Sequence, residues 1–405
     1  MNRTRLLQEI RMMRFEEAYT SWQDKRLSQE EAARLLGVCE RTFRRHIERY
    51  EEAGLEGLID RRIDEVSHRK APVDEVVRLE ALYKQRYDGW NVKHFYERYQ
   101  GDHGGQRSYT WVKKRLQGAG LVETGRRRGR HRKERPRKPL EGMMIHQDGS
   151  THEWVPGQSW DLIVTMDDAT STVYSGFFVE EEGTLSSLRG VRETIEAKGL
   201  FSSFYSDRGS HYWFTPKSGG EVDKQVLTQF GRAMSHLGIE MIPSYSPQGR
   251  GRSERFFGTL QGRLPQELAL AGITDMTAAN AFLSNQFWPR FNATFSVPAP
   301  EAGSAFVPVL GIDLREILCI QEVRTVRSDN CIAYRGMTLQ IPAHKHRCHF
   351  VKAKVRVHEY PDQSLAIFHG PRCLARYTRT GALVEDAQGT SEPRAQTLAR
   401  KKEAA

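Results

Sequence analysis

The sequence predicts a multidomain α/β protein, with an all-α front, a mixed-sheet core in the middle and a small β-barrel near the end. Three observations predict this fold class. Residues 15–62 and 73–122 follow a helical period, strand and helix patterns alternate from Met143 onward, and short strands separated by turn residues return after Pro300. A chain of 405 residues is long enough for two to four domains that each bury a core.

The composition excludes several classes of protein. A hydrophobic fraction of 38% with 10% aromatic residues is too high for a disordered chain. No apolar run approaches the roughly 18 residues that a membrane span requires, and the first residues lack the apolar stretch of a signal peptide. Five cysteines without a CxxC pair argue against a secreted disulfide scaffold, so we expect a cytoplasmic protein without membrane contact. No phosphate-binding loop motif occurs, so no nucleotide cofactor is expected.

The charge is distributed unevenly along the chain, whose net charge is +10. Residues 1–140 carry 33 Lys and Arg against 22 Asp and Glu, and residues 301–405 carry 16 against 11. Residues 141–300 carry 12 against 18. Basic ends suit binding to a polyanion, whereas the acidic centre suits bound cations.

A helix-turn-helix is predicted within residues 1–70. A capping box at 28–31 starts one helix, and Gly37 permits a tight turn to the next. That next helix places Phe43, Ile47 and Tyr50 on one apolar face, as a DNA-recognition helix requires. The outward residues that we expect to contact DNA are Arg41, Thr42, Arg44 and Arg45. A solvated amphipathic helix without a partner is the alternative.

A second helical module that binds DNA is predicted over residues 71–122. Ser108 is a good N-cap for its last helix, in which Trp111, Val112 and Leu116 supply the apolar positions. The candidate DNA contacts here are Lys113, Lys114 and Arg115. A plain helical hairpin is the alternative.

Residues 123–141 are predicted to form a basic linker. Nine of the thirteen residues from 126 to 138 are Lys or Arg, and prolines at 136 and 139 exclude a continuing helix. Such a run is often only solvated surface, but its place between helical modules and an acidic domain favours contact with phosphates. The candidate contacts are Arg126, Arg127, Arg128 and Arg130.

An α/β domain with a mixed sheet is predicted over residues 142–305. Its strand patterns lie at 143–148, 162–166, 173–179, 201–207 and 240–244, its helix patterns cover 185–198 and 224–237, and a long helix begins near residue 249. Three strands in a row followed by alternating helices and strands are typical of a mixed sheet.

Three acids occupy the predicted ends of these elements. Asp148 ends the first strand, Asp207 ends the fourth, and Glu254 stands in the first turn of the last helix. Strand ends and the start of a covering helix can meet at one point, where three carboxylates repel one another unless hard cations lie between them. The pattern suits a pair of Mg²⁺ ions about 3.5–4 Å apart, of which one activates the attacking oxygen and the other stabilises the leaving oxygen of a phosphodiester.

Other residues near these acids have simpler interpretations. Asp167 and Asp168 lie at a predicted hairpin turn, where Asp is favoured for local hydrogen bonds, so we expect a structural role. The glutamates at 180–182 are expected to be a solvated strand end. Three arginines flank Glu254 and are candidate DNA contacts, with pairing to surface acids as the alternative. They are Arg250, Arg252 and Arg255.

The last part of the chain is predicted to form a small β-barrel over 306–377 and a disordered tail over 378–405. His344, His346, Cys348 and His349 have no second ligand pair at zinc spacing, so a zinc site is not expected. Cys39 is expected to be a small buried residue.

The three acids lie in the segments His146–Asp148, Tyr205–Ser210 and Tyr245–Gln261. Together these segments resemble bacterial insertion-sequence transposases of the DDE type, which have a catalytic core of the retroviral-integrase kind, and within them the ISNCY-like group. The resemblance covers about residues 15–375. It implies an RNase H-like core in which Asp148, Asp207 and Glu254 are catalytic and bind two Mg²⁺ ions, with Mn²⁺ as a possible substitute.

The resemblance also implies a function and its partners. The enzyme would bind double-stranded DNA at the terminal inverted repeats of its own element, hydrolyse the 3′ strand ends and join them to target DNA. It would act as a homo-oligomer in a paired-end complex at the bacterial nucleoid. Two alternatives remain: a non-catalytic DNA-binding regulator derived from such an element, and a nuclease of the same fold that does not transfer strands.

Overall fold

The computed structural model describes residues 3–60, 70–125, 136–217, 220–245, 247–343 and 347–384. Contacts divide the chain into two units, residues 1–88 with 107–123 and residues 89–106 with 124–405. No helix in the described ranges is both long and apolar enough to span a bilayer.

Helices form the front of the chain, as its apolar period predicts. In the described residues these are α1 (Arg3–Gln23), α2 (Gln29–Leu35), α3 (Glu40–Ala53), α4 (Val73–Arg86), α5 (Val92–Gly101) and α6 (Tyr109–Gly118). A 3₁₀ turn, Gly54–Leu58, follows α3. Helix α5 lies in the second unit and the others lie in the first.

The predicted helix-turn-helix is confirmed. Ser28 Oγ accepts a hydrogen bond from the backbone N–H of Glu31, and the Glu31 carboxylate accepts one from the backbone N–H of Ser28, so the capping box is complete. Gly37 turns the chain with a φ of +69°, which a side chain would disfavour. Phe43 and Ile47 are buried against α1, and this contact sets the outward face of α3.

The second unit contains a mixed five-stranded sheet. Its elements are β1 (Ile145–Val155), β2 (Gln158–Asp167), β3 (Val173–Val179), α7 (Thr184–Lys198), β4 (Ser203–Ser206), α8 (Gln229–His236) and β5 (Glu240–Pro243). The strand order is β3-β2-β1-β4-β5, with antiparallel pairs β1–β2 and β2–β3 and parallel pairs β1–β4 and β4–β5. The mixed sheet is therefore confirmed. Helix α8 begins later than its apolar pattern, because Thr228 accepts from the Gly231 N–H and caps it.

Helices cover both faces of this sheet. After β5 come α9 (Pro247–Gln261), α10 (Leu264–Leu270), α11 (Met276–Phe282) and α12 (Trp288–Phe295), and a π-helical turn, Leu283–Phe287, joins the last two. These helices pack on the side chains of one face around Trp154 and Phe178. Helices α7 and α8 pack on the other face around Phe204 and Phe230. Side chains of β1 are therefore buried in two different cores, with Trp154 in the first and Ile145 in the second.

The last part of the chain forms β-structure that does not close. Its elements are α13 (Leu314–Ile317), β6 (Ile320–Thr325), β7 (Cys331–Tyr334), β8 (Met337–Gln340), β9 (Lys354–Glu359), β10 (Leu365–His369), β11 (Arg372–Tyr377) and β12 (Leu383–Val384). The predicted β-barrel is not confirmed, because five strands form an open sheet in the order β12-β11-β10-β9-β6. Strands β7 and β8 form a separate hairpin, and its apolar side chains share one core with those of the sheet. Residues 378–384 are ordered rather than part of a disordered tail, since β12 pairs with β11, and residues 385–405 lie outside the described residues.

A buried ion network joins α5 to the sheet domain. Glu267 of α10 interacts with His94 Nε2 at 2.7 Å and accepts from Arg98 Nε at 3.2 Å. Although burial raises the pKa of Glu267, the hydrogen bond from His94 and the charge of Arg98 lower it to about 2. Burial lowers the pKa of His94, so its ring is neutral near pH 7 and donates the Nε2 proton to Glu267.

Replacing Glu267 with Gln should remove an acid-sensitive part of the stability. The folded-state pKa of Glu267 is about 2, below its ordinary value of 4.5, so its contribution is complete above 4.5 and is lost as the pH falls through about 2. We expect the wild-type chain to lose about 3 kcal/mol of unfolding free energy over that range. Glu267→Gln should lack this loss and should be destabilised by about 3–5 kcal/mol at neutral pH, because the buried Arg98 guanidinium loses its counter-charge.

Urea unfolding at a series of pH values measures both effects. Glu97→Gln is the matched control, since Glu97 pairs with Arg263 Nη1 at 2.6 Å at a more exposed position and its loss should cost less. Identical acid profiles for the wild type and Glu267→Gln would contradict the assignment.

Candidate functional site

The predicted DNA-facing residues of α3 lie where the period places them. Arg41, Arg44 and Arg45 are exposed, and Thr42 is half-buried with its hydroxyl 3.2 Å from Cys39 Sγ. The prediction of a buried Cys39 is wrong, because this thiol is exposed at the start of α3. The face opposite the apolar core of the helix-turn-helix is therefore rich in hydrogen-bond donors.

Helix α6 presents a second basic surface. Ser108 caps it by accepting from the Trp111 N–H at 3.4 Å, and its apolar residues Val112 and Leu116 are buried. The three candidate contacts are exposed, and they are Lys113, Lys114 and Arg115. Helix α6 thus has the amphipathic build that its sequence predicts.

The candidate linker contacts cannot be placed in the fold. Arg126, Arg127, Arg128 and Arg130 lie outside the described residues. Just after them, Arg137 donates from Nη1 to the Asp168 carbonyl at 3.0 Å and to Ser171 Oγ at 2.8 Å. The end of the basic run is therefore bound to the turn between β2 and β3.

Asp148 of β1 and Asp207, which directly follows β4, are related by the register of these two strands. β1 and β4 run parallel with His146 opposite Tyr205, so the same register continued by two residues makes Asp148 level with Asp207. Neighbouring strands lie about 4.8 Å apart. Asp207 follows the last residue of β4 as predicted, but Asp148 does not end its strand, because β1 continues to Val155 against β2.

Burial raises the pKa of the Tyr212 hydroxyl, and the negative charges of Glu182 and of both Asp207 and Asp148 raise it further. Asp207 Oδ1 also accepts a hydrogen bond from the backbone N–H of Gly209 at 2.9 Å, which orients this carboxylate. Asp148 and Asp207 are each half-buried, so they are neither core groups nor freely solvated ones.

Glu182 is a further acid beside the segment that carries Asp148, and the sequence pattern did not identify it. Its carboxylate lies beside Gly149, where an added Cβ would be 2.2 Å from Oε2. His211 Nε2 lies 3.4 Å from Glu182 Oε1. The expected solvated strand end holds for the first two glutamates of 180–182, but Glu182 is half-buried. The sequence signal for this contact is Gly149, since a glycine often marks a position where another group approaches the backbone closely.

Glu254 is exposed on α9, in the third turn of the helix rather than in the predicted first turn. Gln261, two turns further along the same face, donates to Ser150 Oγ of β1 at 3.1 Å. Among the described residues, no group of three His, Cys, Asp or Glu side chains is close enough to hold a metal ion. The register of β1 and β4, continued by two residues, makes Asp148 level with Asp207. Glu254 lies on α9, which packs along β1.

The three arginines that flank Glu254 were the remaining candidate DNA contacts. Arg255 is exposed, whereas the side chains of Arg250 and Arg252 lie outside the described residues. In the β-structure, Cys348 and His349 are exposed, and residues 344 and 346 are not described.

The competing acids Asp167 and Asp168 are fully buried. Asp167 accepts from the Gly142 N–H at 2.9 Å. Asp168 accepts from the Lys138 N–H and interacts with His146 Nε2, each at 2.7 Å. These bonds favour the structural role expected of a turn, because they consume carboxylate oxygens that a metal would need.

Comparisons with known proteins add two sequence relatives and one family. Residues 23–70 match the family described as winged helix-turn helix. The chain is 29% identical over 352 residues to the putative transposase y4bF of Sinorhizobium fredii, with 85% of this chain and 76% of that protein covered. It is 33% identical over 162 residues to the transposase for insertion sequence IS1202 of Streptococcus pneumoniae, with 40% of this chain and 34% of that protein covered.

Two solved structures are also similar. A chain of the simian T-cell lymphotropic virus intasome is 16% identical with a TM-score of 0.32, and 65% of this chain and 85% of that chain are covered. The HTLV-2 integrase catalytic core domain in complex with magnesium is 15% identical with a TM-score of 0.27, and 36% of this chain and 88% of that chain are covered.

Proposed function

We propose that this chain, which belongs to the insertion-sequence transposases, cuts and joins DNA strands at a metal centre built on Asp148, Asp207 and Glu254. The observation that supports the proposal is the parallel register of β1 and β4, whose last pair is His146 and Tyr205. The same register continued by two residues would make Asp148 level with Asp207. Two half-buried carboxylates at one level of neighbouring strands repel each other. A divalent cation held by Asp148 and Asp207 would remove that repulsion.

The donor set fits Mg²⁺ or Mn²⁺. Both are hard cations that take carboxylate oxygens, and Mg²⁺ is usually bound through one or two carboxylates while it keeps several waters. Asp148 and Asp207 would supply this pair. Glu254 would add a third carboxylate from α9. Its side chain is exposed, so it would be free to bind the cation when DNA is bound. When bound, the ions activate the attacking oxygen and stabilise the leaving oxygen of a phosphodiester.

The residues of the chain would contribute position and charge rather than a covalent intermediate. In hydrolysis, a water oxygen bonds to phosphorus and the bond to the strand-end oxygen breaks, leaving a free 3′-hydroxyl. In joining, that hydroxyl bonds to a phosphorus of target DNA and the target's own 3′ oxygen leaves. The Gly209 N–H donates to Asp207 Oδ1 at 2.9 Å and would keep this carboxylate oriented.

DNA binding would reside in the helical front of the chain. The outward donors of α3 and α6 suit the terminal repeats of the element, with base edges read by α3. The basic run before the sheet domain would bind phosphates without reading sequence. Two copies in a paired-end complex would bring the two ends together.

Replacing Asp148 or Asp207 by Asn, or Glu254 by Gln, should abolish strand cleavage and joining in Mg²⁺ or Mn²⁺. Neither amide supplies the charge that holds a cation, so the rate should fall at least about a thousandfold, or about 4 kcal/mol of barrier. Binding to the terminal repeats should persist, because the residues proposed for it lie on α3 and α6. Gel-based cleavage and joining of a labelled duplex carrying the element's end measures both steps.

Asp168→Asn is the internal control, since Asp168 is also an aspartate of the sheet domain but its carboxylate is buried in structural hydrogen bonds. It should lower stability while the surviving folded protein stays active. An active Asp207→Asn protein, or an inactive but folded Asp168→Asn protein, would refute the assignment. If the wild-type protein cleaves the end of the element but does not join a precut end to target DNA, it is a nuclease instead.

Replacing Arg126, Arg127, Arg128 and Arg130 by Gln should weaken binding to all DNA sequences alike. Each lost phosphate contact removes about 0.9 from the slope of log K against log salt, so the slope should flatten by up to about 3–4 units. Discrimination between the element's end and random DNA should change little. Fluorescence anisotropy over a salt series tests this, and an unchanged slope would mean that the run is only solvated.

A further inference from the structure

A network of buried polar groups lies directly behind the two carboxylates. The Tyr212 hydroxyl donates to Gln147 Oε1 at 2.8 Å. Gln147 Nε2 in turn donates to Thr165 Oγ1 at 2.8 Å and to the Ser187 carbonyl at 3.1 Å. All four residues are buried. The Gln147 amide therefore has partners for its oxygen and for both of its hydrogens, and such a satisfied network fixes one arrangement of its members.

Helix α7 is built to admit this amide. At Gly190, an added Cβ would lie 2.4 Å from Gln147 Nε2 and 2.7 Å from Thr165 Oγ1. A glycine inside a helix weakens it by roughly 0.5–1 kcal/mol relative to Ala. The absence of a side chain at Gly190 therefore leaves the space in which the Gln147 amide reaches Thr165 and the Ser187 carbonyl.

The network joins the two segments that carry the acids. Gln147 directly precedes Asp148, and Tyr212 follows Asp207 by five positions. The ladder between β1 and β4 ends at His146 and Tyr205. Beyond that point, the Tyr212–Gln147 hydrogen bond connects the two segments where the backbone ladder no longer does.

We propose that Tyr212 is a positioning residue of the metal centre, whose hydroxyl holds Gln147, and through it Asp148, at the separation from Asp207 that a shared cation requires. Mutual repulsion would otherwise favour a wider separation in the absence of metal. The inference rests on the proposed function, because it concerns the same two carboxylates. Residues that orient metal ligands typically change metal affinity 10–100-fold when they are removed.

Tyr212→Phe tests this directly, because it removes the hydroxyl and leaves the buried ring. Titration of the full-length chain with Mn²⁺ alone, followed by the electron paramagnetic resonance signal of free Mn²⁺, gives the affinity without DNA or turnover. We expect Tyr212→Phe to bind Mn²⁺ about tenfold more weakly than the wild type. Tyr377→Phe is the matched control, since the buried Tyr377 hydroxyl donates to the Gln340 carbonyl at 2.7 Å in the β-structure. It should cost similar stability and leave Mn²⁺ affinity unchanged.

Gly190→Ala approaches the network from the other side, without altering Tyr212 or either acid. Its methyl group should displace the Gln147 amide and also weaken Mn²⁺ binding. Gly231→Ala is its control, because Gly231 is a buried helical glycine whose added Cβ would make only ordinary contacts, the nearest at 3.5 Å. Thermal unfolding of each variant shows whether it is folded before the titration.

The outcomes separate this inference from the proposed function. Weaker binding by Tyr212→Phe and Gly190→Ala, with both controls unchanged, supports the positioning role. Wild-type affinity in Tyr212→Phe, or an equal loss in Tyr377→Phe, overturns it. If Asp148→Asn and Asp207→Asn still lose Mn²⁺ in that case, the proposed centre stands; if they bind it as the wild type does, the centre itself is wrong.

Discussion

The parallel pairing of β1 with β4 sets the relative position of two acids of the proposed metal centre. This ladder has two residue pairs at the centre of the sheet, and it makes Asp148 level with Asp207 just beyond its end. Carboxylates placed in this way repel each other, so the surrounding structure must hold them. The Gly209 N–H donates a hydrogen bond to Asp207, and we propose that the buried Gln147 amide, bound by Tyr212, holds Asp148.

The local patterns of the sequence predicted what local chemistry determines. The face of α3 followed from the spacing of Phe43 and Ile47, and the start of α2 followed from Ser28 and Glu31, because partners three or four residues apart meet on one helix. The mixed sheet also followed from the order of strand and helix patterns. Asp207 was placed correctly at a strand end for the same reason.

Features that depend on distant partners were not predictable in this way. Asp148 lies inside β1 because β2 pairs along its whole length, and no residue near Asp148 signals that pairing. The predicted β-barrel was not confirmed for a similar reason, since β6 and β12 are the two edges of an open sheet and closure depends on whether such distant edges pair. Glu182 has two glutamate neighbours of identical chemistry, and only the fold distinguishes it by its contact with Gly149. The network of α5 joins residues 169 positions apart, Arg98 and Glu267.

Anomalous diffraction from crystals of the 405-residue chain grown with Mn²⁺ would show whether Asp148 and Asp207 share a divalent cation, as we propose. We expect an anomalous peak within ordinary coordination distance of an oxygen from each of the two carboxylates. A well-ordered site without such a peak, or a peak on the Asp167–Asp168 turn instead, would show that these two acids do not hold the cation.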